Sequence, residues 1–155
     1  PQAVIIGDVE IGSNCFIGPG AVLRGDFGKI IVGGGSNIQD NCVIHCDPGA
    51  IAILEENVLV GHGAILHGPC LIRQGALVGM GAIISTGCEI GTESVVAAGC
   101  MLPPRYNVSS RKLVMGSPAN TIRDISEETL ASGRLGVQFY RGMAFRCLAG
   151  LKLIE

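Results

Sequence analysis

The fold is decided by residues 54–102, which read LEENVLVGHGAILHGPCLIRQGALVGMGAIISTGCEIGTESVVAAGCML. Every sixth residue, from Leu54 to Leu102, is an aliphatic anchor, and a small or β-branched residue follows each of the first eight anchors four positions later. A helix or a lone strand has a period of 3.6 or 2 residues and cannot produce a strict period of six. The stretch therefore predicts a solenoid in which three hexapeptides form one triangular coil of 18 residues.

The same period extends toward the N-terminus with two interruptions. The upstream anchors are Ile5, Ile11, Ile17, Leu23, Val32, Ile38 and Ile44. A slip of three residues separates Leu23 from Val32, and a slip of four separates Ile44 from Leu54. Downstream, we expect the repeat to end at Pro103-Pro104 and one more strand-like piece to follow at 113–115. The predicted fold class is an all-β solenoid, a parallel β-helix, over residues 1–119.

The remaining residues, 120–155, carry the signals of a helix. Ser126 is a capping hydroxyl, and two glutamates follow it in the expected first turn. An apolar stripe at helical spacing comes next and consists of Leu130, Val137, Tyr140, Ala144, Cys147 and Leu151. We expect a C-terminal helical segment that packs on the β-helix or on a neighbouring subunit, although three glycines weaken its continuity.

Composition limits the function classes. Apolar residues make up 48% of the 155 residues and aromatic residues only 4%, and the net charge of −2 gives no electrostatic reason to expect nucleic acid or an anionic membrane as partner. The seven cysteines are odd in number and form no CxxC motif. Five of them occupy the small position after an anchor: Cys15, Cys42, Cys70, Cys88 and Cys100. These features predict a reduced, cytoplasmic protein whose thiols serve as small buried hydrophobes.

The three histidines of the sequence fall within residues 45–67. His45 and His67 each follow an anchor directly, and 22 residues separate those two anchors. Subtracting the slip of four leaves 18 residues, or one coil, so the two side chains should stack on consecutive coils about 4.8 Å apart. The same arithmetic places Arg24 in this column, directly below His45.

His62 belongs to another face of the triangle, above Asp40 in its own column. On a rigid prism His62 should not reach an ion held by His45 and His67 of the same chain. Three chains around a threefold axis would bring the histidines together at three equivalent interfaces. We therefore predict a homotrimer with metal at each interface, and all-imidazole ligation favours Zn²⁺, with Co²⁺ or Fe²⁺ as alternatives. The competing interpretation is three ordinary hydrogen-bonded histidines.

Four motifs resemble the γ-class carbonic anhydrase family in their order and spacing. They are Arg24-Gly25-Asp26, residues 37–41 (NIQDN), Ile44-His45 and residues 61–68 (GHGAILHG). The similarity covers about residues 3–119 and is closest to the family's phenylacetate-degradation and carnitine-operon branch. It implies a left-handed β-helix, and a trimer whose subunits share zinc, iron or cobalt through the residues matching His45, His62 and His67.

The resemblance also implies roles for five polar residues. Arg24 and Asp26 match a salt-bridged pair, although a purely structural ion pair is an equally good interpretation. Gln39 matches a residue that orients the metal-bound water, Asp40 matches one at the subunit interface, and Asn37 belongs to the same motif.

The chain departs from the family where protons are relayed. The best-studied archaeal enzymes carry a Glu after the Asp of the first motif, and a longer acidic loop. In this chain Phe27 takes the position of that Glu, and Asp47 is the only acidic residue of the loop 46–53. We therefore expect slow or buffer-dependent turnover.

The expected enzyme is a zinc-dependent lyase in which metal-bound hydroxide attacks CO₂ and forms bicarbonate reversibly. Three alternatives remain open. The same metal site could hydrolyse an acyl-CoA thioester, or the chain could be a hexapeptide acyltransferase, since residues 116–119 form the Gly-x-Pro-Ala turn that such enzymes share. It could also be a non-catalytic trimeric scaffold that keeps a structural metal.

Overall fold

The six-residue period folds into short parallel strands that pair at an offset of 18 residues. In one column, Leu77 pairs with Leu59 below it and with Val95 above it. The computed structural model describes residues 2–150 and has the fold that the sequence predicts, a left-handed parallel β-helix followed by one helix. Each coil satisfies its backbone hydrogen bonds through the coils above and below it.

The elements follow one another with short turns between them. In chain order they are β1 (Val4–Ile11), β2 (Phe16–Ile17), β3 (Val22–Val32), β4 (Asn37–Ile38), β5 (Val43–Cys46), β6 (Ile51–Leu54), β7 (Leu59–Val60), β8 (Ile65–Gly68), β9 (Cys70–Ile72), β10 (Leu77–Val78), β11 (Ile83–Ile84), β12 (Cys88–Ile90), β13 (Val95–Val96), β14 (Met101–Leu102), β15 (Asn107–Val108), β16 (Lys112–Met115), β17 (Asn120–Asp124) and α1 (Glu127–Gly150).

These strands make the three faces of a prism. The start of β3, with β5, β8, β11 and β14, forms the face that carries His45 and His67, which we call the histidine face. The end of β3, with β6, β9, β12 and β15, forms the second face. The third, which we call the helix face, consists of β2, β4, β7, β10, β13 and β16, and α1 packs across its first strands.

The core is the inside of the prism. All nine anchors from Leu54 to Leu102 have no exposed surface, and the eight small residues that follow them are buried as well. Residues 54–102 contain no Phe, Tyr or Trp, so aliphatic and small residues alone fill this part of the narrow interior. The predicted register of this stretch is therefore confirmed.

The prediction that the repeat ends at Pro103-Pro104 is wrong. The anchors continue at Val108 and Val114, which are 1% and 0% exposed, on β15 and β16. The two prolines lie in the corner before β15, where a fixed φ and a missing N–H are tolerated. At the other end, Ile5 and Ile11 are exposed because, within residues 2–150, no coil lies beneath the first one.

The cysteines behave as small core residues. Four of the five predicted positions, Cys42, Cys70, Cys88 and Cys100, are buried, whereas Cys15 in the first coil is only partly buried. Cys46, which the repeat does not place, is buried too. All seven are free thiols. Burial raises the pKa of Cys70 to about 12, so this thiol stays protonated and unreactive at neutral pH.

The segment 120–155 is not helical from its first residue. Strand β17 (Asn120–Asp124) pairs antiparallel with β16, after a turn at residues 116–119 that reverses the chain. Helix α1 begins at Glu127, and the Ser126 Oγ accepts a hydrogen bond from the Thr129 N–H at 3.2 Å, as an N-cap does. Leu151 lies outside the described residues.

Helix α1 is continuous in spite of its glycines. A Cβ at Gly136 would lie 3.2 Å from Cδ1 of Leu59, so this glycine lets the helix approach the sheet closely. Leu130 and Val137 of the predicted stripe are buried against the β-helix. Over residues 2–150 we find no helix with the length and hydrophobicity that a membrane crossing requires.

Candidate functional site

The histidine face carries the predicted column of stacked side chains. Arg24 pairs with His45 and His45 with His67 on consecutive strands, as the repeat arithmetic predicts. The two imidazole rings are 5.7 Å apart between centroids and nearly perpendicular. The His45 side chain is 16% exposed and that of His67 42%, so both reach the surface of the prism.

Two charged residues hold His45 in place. Its Nε2 lies 3.3 Å from Nη2 of Arg24 and 3.1 Å from Oδ1 of Asp26. The same Asp26 oxygen lies 3.6 Å from Nε of Arg24, so the ion pair that the resemblance implies is present. The Phe27 ring packs against the imidazole at 5.4 Å between centroids. Depending on the tautomer, Nε2 donates to Asp26 or accepts from Arg24.

The insertion after His45 returns to the histidine column. Oδ1 of Asp47 lies 3.8 Å from Nδ1 of His67, and its Oδ2 accepts a hydrogen bond from the Thr86 hydroxyl at 2.9 Å. Asp47 therefore lies beside His67 and is hydrogen-bonded to the coil above that of His67. The slip of three residues between Leu23 and Val32 forms no separate loop, because β3 continues through it and around the corner.

His62 lies in the corner after β7, where the chain passes from the helix face to the histidine face. Its Nδ1 is 2.9 Å from Oδ2 of Asp40, which sits one coil below it as predicted. An Nδ1–H that donates to Asp40 leaves Nε2 as an acceptor, and the Tyr140 hydroxyl lies 3.3 Å from this Nε2. The imidazole is thus oriented from both sides, with 45% of its side chain exposed.

Tyr140 is the residue that sequence reasoning missed, because it was counted in the apolar stripe of α1. Burial, followed by the nearby charge of Asp40, raises the pKa of Tyr140, so its hydroxyl stays protonated at neutral pH. A tyrosine in a buried stripe usually needs a hydrogen-bond partner for its hydroxyl. That requirement was the one feature of the sequence that could have indicated a polar contact for Tyr140.

Two buried amides stand next to His62. Gln39 is 4% exposed and Asn37 1%, and the Gln39 Nε2–H donates to Oδ1 of Asn37 at 3.1 Å. Asn37 Nδ2 is buried without a partner among the described residues. Gln39, His62 and Tyr140 also line one end of a cleft with a volume of about 430 Å³.

The predicted site residues therefore form two clusters in one protomer. The first cluster consists of Arg24, Asp26, His45 and His67 on the histidine face. The second consists of Asn37, Gln39, Asp40 and His62, together with Tyr140. Within residues 2–150, no three side chains of His, Cys, Asp or Glu converge in a way that could hold a metal ion.

Similar proteins are found by sequence. The family model for bacterial transferase hexapeptides (six repeats) matches residues 1–25. The carnitine operon protein CaiE of Proteus sp. (strain LE138) is 45% identical over 151 residues, which cover 97% of this chain and 76% of the relative. CaiE of Salmonella newport (strain SL254) is also 45% identical, over 153 residues.

Solved structures with the same fold extend this set. A Bacillus cereus protein described provisionally as an acetyltransferase is 35% identical, with a TM-score of 0.88 over 95% of this chain and 90% of that one. A hexapeptide transferase family protein of Anaplasma phagocytophilum is 37% identical, with a TM-score of 0.86 over 93% and 88% of the two chains.

Proposed function

This chain belongs to the hexapeptide-repeat family of the carnitine operon protein CaiE, and on that premise we propose that it hydrolyses an acyl-CoA thioester at a metal site shared between the subunits of a homotrimer. The observation that carries the proposal is the division of the histidines between two faces. His45 and His67 stand together, and His62 is held on the next face by Asp40. A threefold arrangement would bring one cluster of each kind to every interface.

The donor set fits a catalytic divalent ion. Three imidazoles and an open position are typical of catalytic zinc, and Co²⁺ or Fe²⁺ also accepts such ligands. Metal-binding histidines usually donate their other N–H to a carboxylate, and Asp40 is placed to accept that bond from His62. A bound ion would polarise a carbonyl group and lower the pKa of a coordinated water toward about 7.

The reaction consumes water and one thioester. The water oxygen bonds to the thioester carbonyl carbon, the carbon–sulfur bond breaks, and the leaving sulfur takes a proton to give free CoA and a carboxylic acid. The Gln39 Nε2–H donates a hydrogen bond to Asn37. The side-chain carbonyl oxygen of Gln39 is then left to accept a hydrogen bond from the attacking water. Arg24 and Asp26 hold His45. In the protomer the Tyr140 hydroxyl lies 3.3 Å from His62 Nε2 and would move away from this nitrogen when it binds the ion.

The relatives support an acyl group as the substrate. The family model and the two solved structures carry the names of transferases and of an acetyltransferase. These names favour acyl chemistry over the CO₂ hydration expected from the sequence. A metal-activated water acting on a thioester reconciles the three histidines with relatives of that kind.

Hydration of CO₂ is the second candidate, and one observation favours it. The Arg24–Asp26 ion pair beside His45 is the one that the resemblance to γ-class carbonic anhydrases implies, and Gln39 matches the residue that orients the metal-bound water in that family. Phe27 in place of a relaying acid speaks against rapid proton transfer. The same site could serve either electrophile, so the two activities are measured side by side.

Purified protein loaded with Zn²⁺ should release free thiol from acyl-CoA in the absence of any acceptor other than water. Chelation should abolish the release, and added Zn²⁺ should restore it. Thiol release that needs an amine or alcohol acceptor and persists after chelation would contradict hydrolysis and point to acyl transfer with His62 and Asp40 as base. Hydration of CO₂ without thiol release would establish the second candidate instead.

A further inference from the structure

The cleft beside His62 runs along the axis of the β-helix. Its floor is a column with one residue per coil, Gln39, Gly61, Gly79 and Ala97, each directly above the last. Three steps of strand spacing make this column about 14 Å long. A Cβ at Gly61 or Gly79 would lie 2.7 Å or 2.5 Å from a backbone nitrogen of the next coil, so these two positions carry no side chain into the cleft.

Polar residues line the lower end of the cleft, and aliphatic residues line the part above it. Gln39, His62 and Tyr140 are the polar lining residues, and contacts join His62 to Tyr140 at the lower end. Above them the walls are aliphatic, with Leu77 and Val95 on one side and Met80 on the other. In the single protomer Met80 is 58% exposed, so the upper part of the cleft is open there. Among the described lining residues, none is a carboxylate or an ammonium group.

We propose that this cleft binds the acyl chain of the thioester, with the carbonyl carbon at the His62 end and the chain extending along the column toward Ala97. This inference rests on the proposed function, because it places the reacting carbonyl where His62 would meet the metal. Carbon dioxide or an acetyl group would leave most of the 430 Å³ unfilled. A straight, uncharged chain matches both the length of the column and its aliphatic walls.

The proposal predicts selection by chain length. Burial of each additional methylene should tighten binding by about fourfold, until the chain reaches the end of the column. The probes are S-alkyl-CoA thioethers from methyl to octyl, which lack the carbonyl and are not hydrolysed. Calorimetric titration of the metal-loaded protein should give this rising affinity.

The variant Ala97→Leu places a larger side chain at the upper end of the floor. It should remove the gain in affinity for the longest chains and leave binding of S-methyl-CoA unchanged. Ala131→Leu, at an exposed position of α1 outside the cleft, is the matched control and should bind like the wild type. Ala98→Leu, at an exposed position of the same cleft, repeats the test if the first variant does not fold.

Three outcomes are informative. An unchanged chain-length preference in both cleft variants would overturn the proposal. Dissociation of the oligomer by Ala97→Leu, with no loss of chain preference, would also overturn it, because a second copy of the chain would then fill the cleft. Chain-length selection in the wild type without thiol release from acyl-CoA would leave the acyl site standing and refute hydrolysis.

Discussion

Replacement of His62 by alanine should abolish metal binding while every prism stays folded. Each proposed site would keep only His45 and His67, and zinc sites normally have at least three protein ligands. The His62 side chain is 45% exposed and belongs to none of the anchor or small positions of the core. Stability comes from coil stacking rather than from the ion, so the fold does not depend on this residue.

The measurement is metal content per chain after gel filtration, together with the midpoint of thermal unfolding. Wild-type protein should carry about one ion per chain, as one site at each of three interfaces requires. Gln74→Ala, at an exposed position remote from the histidine column, is the control and should keep its metal. A His62→Ala protein that retains the full metal content would show that His62 is not a ligand.

Truncation of an anchor should have the largest effect on stability. Ile72 is completely buried on the second face, so Ile72→Ala removes core contacts and leaves a cavity between two coils. The expected loss in the free energy of unfolding is about 2 to 5 kcal/mol. Because neighbouring coils stabilise one another, the loss should weaken the whole solenoid.

The neighbouring strand offers a matched control. Ile51 on β6 has the same side chain but is 44% exposed, so Ile51→Ala should change the free energy of unfolding by only about 0.5 kcal/mol. Both variants are compared by denaturant unfolding at one protein concentration, since assembly adds to stability. Equal losses in the two variants would refute the assignment of Ile72 as an inward anchor.

The repeat explains why the sequence predicted so much of this fold. In a solenoid, counting by 18 gives the neighbour of each residue once the two slips are subtracted, and this count placed Arg24 under His45 and His45 under His67. The same count placed His62 above Asp40. In an irregular fold such contacts depend on packing that a single sequence does not display.

Two features were not predicted from the sequence: the continuation of the repeat beyond Leu102 and the contact of Tyr140 with His62. Val108 and Val114 continue the period, but Tyr106 stands at the small position between them and Leu102, and two prolines obscured the pattern. Tyr140 reaches His62 across 78 residues of sequence because α1 crosses the helix face. No repeat fixes the position of that helix, so the contact could not be predicted from spacing.

Mixed oligomers test the shared metal site most directly. One variant lacks His62, and the other lacks both His45 and His67, so neither should bind metal alone. When equal amounts assemble together at random, about one quarter of the interfaces should pair an intact His45 and His67 with an intact His62. Metal should therefore return to about that fraction of the sites. Mixed trimers that form and stay free of metal would contradict the shared metal site.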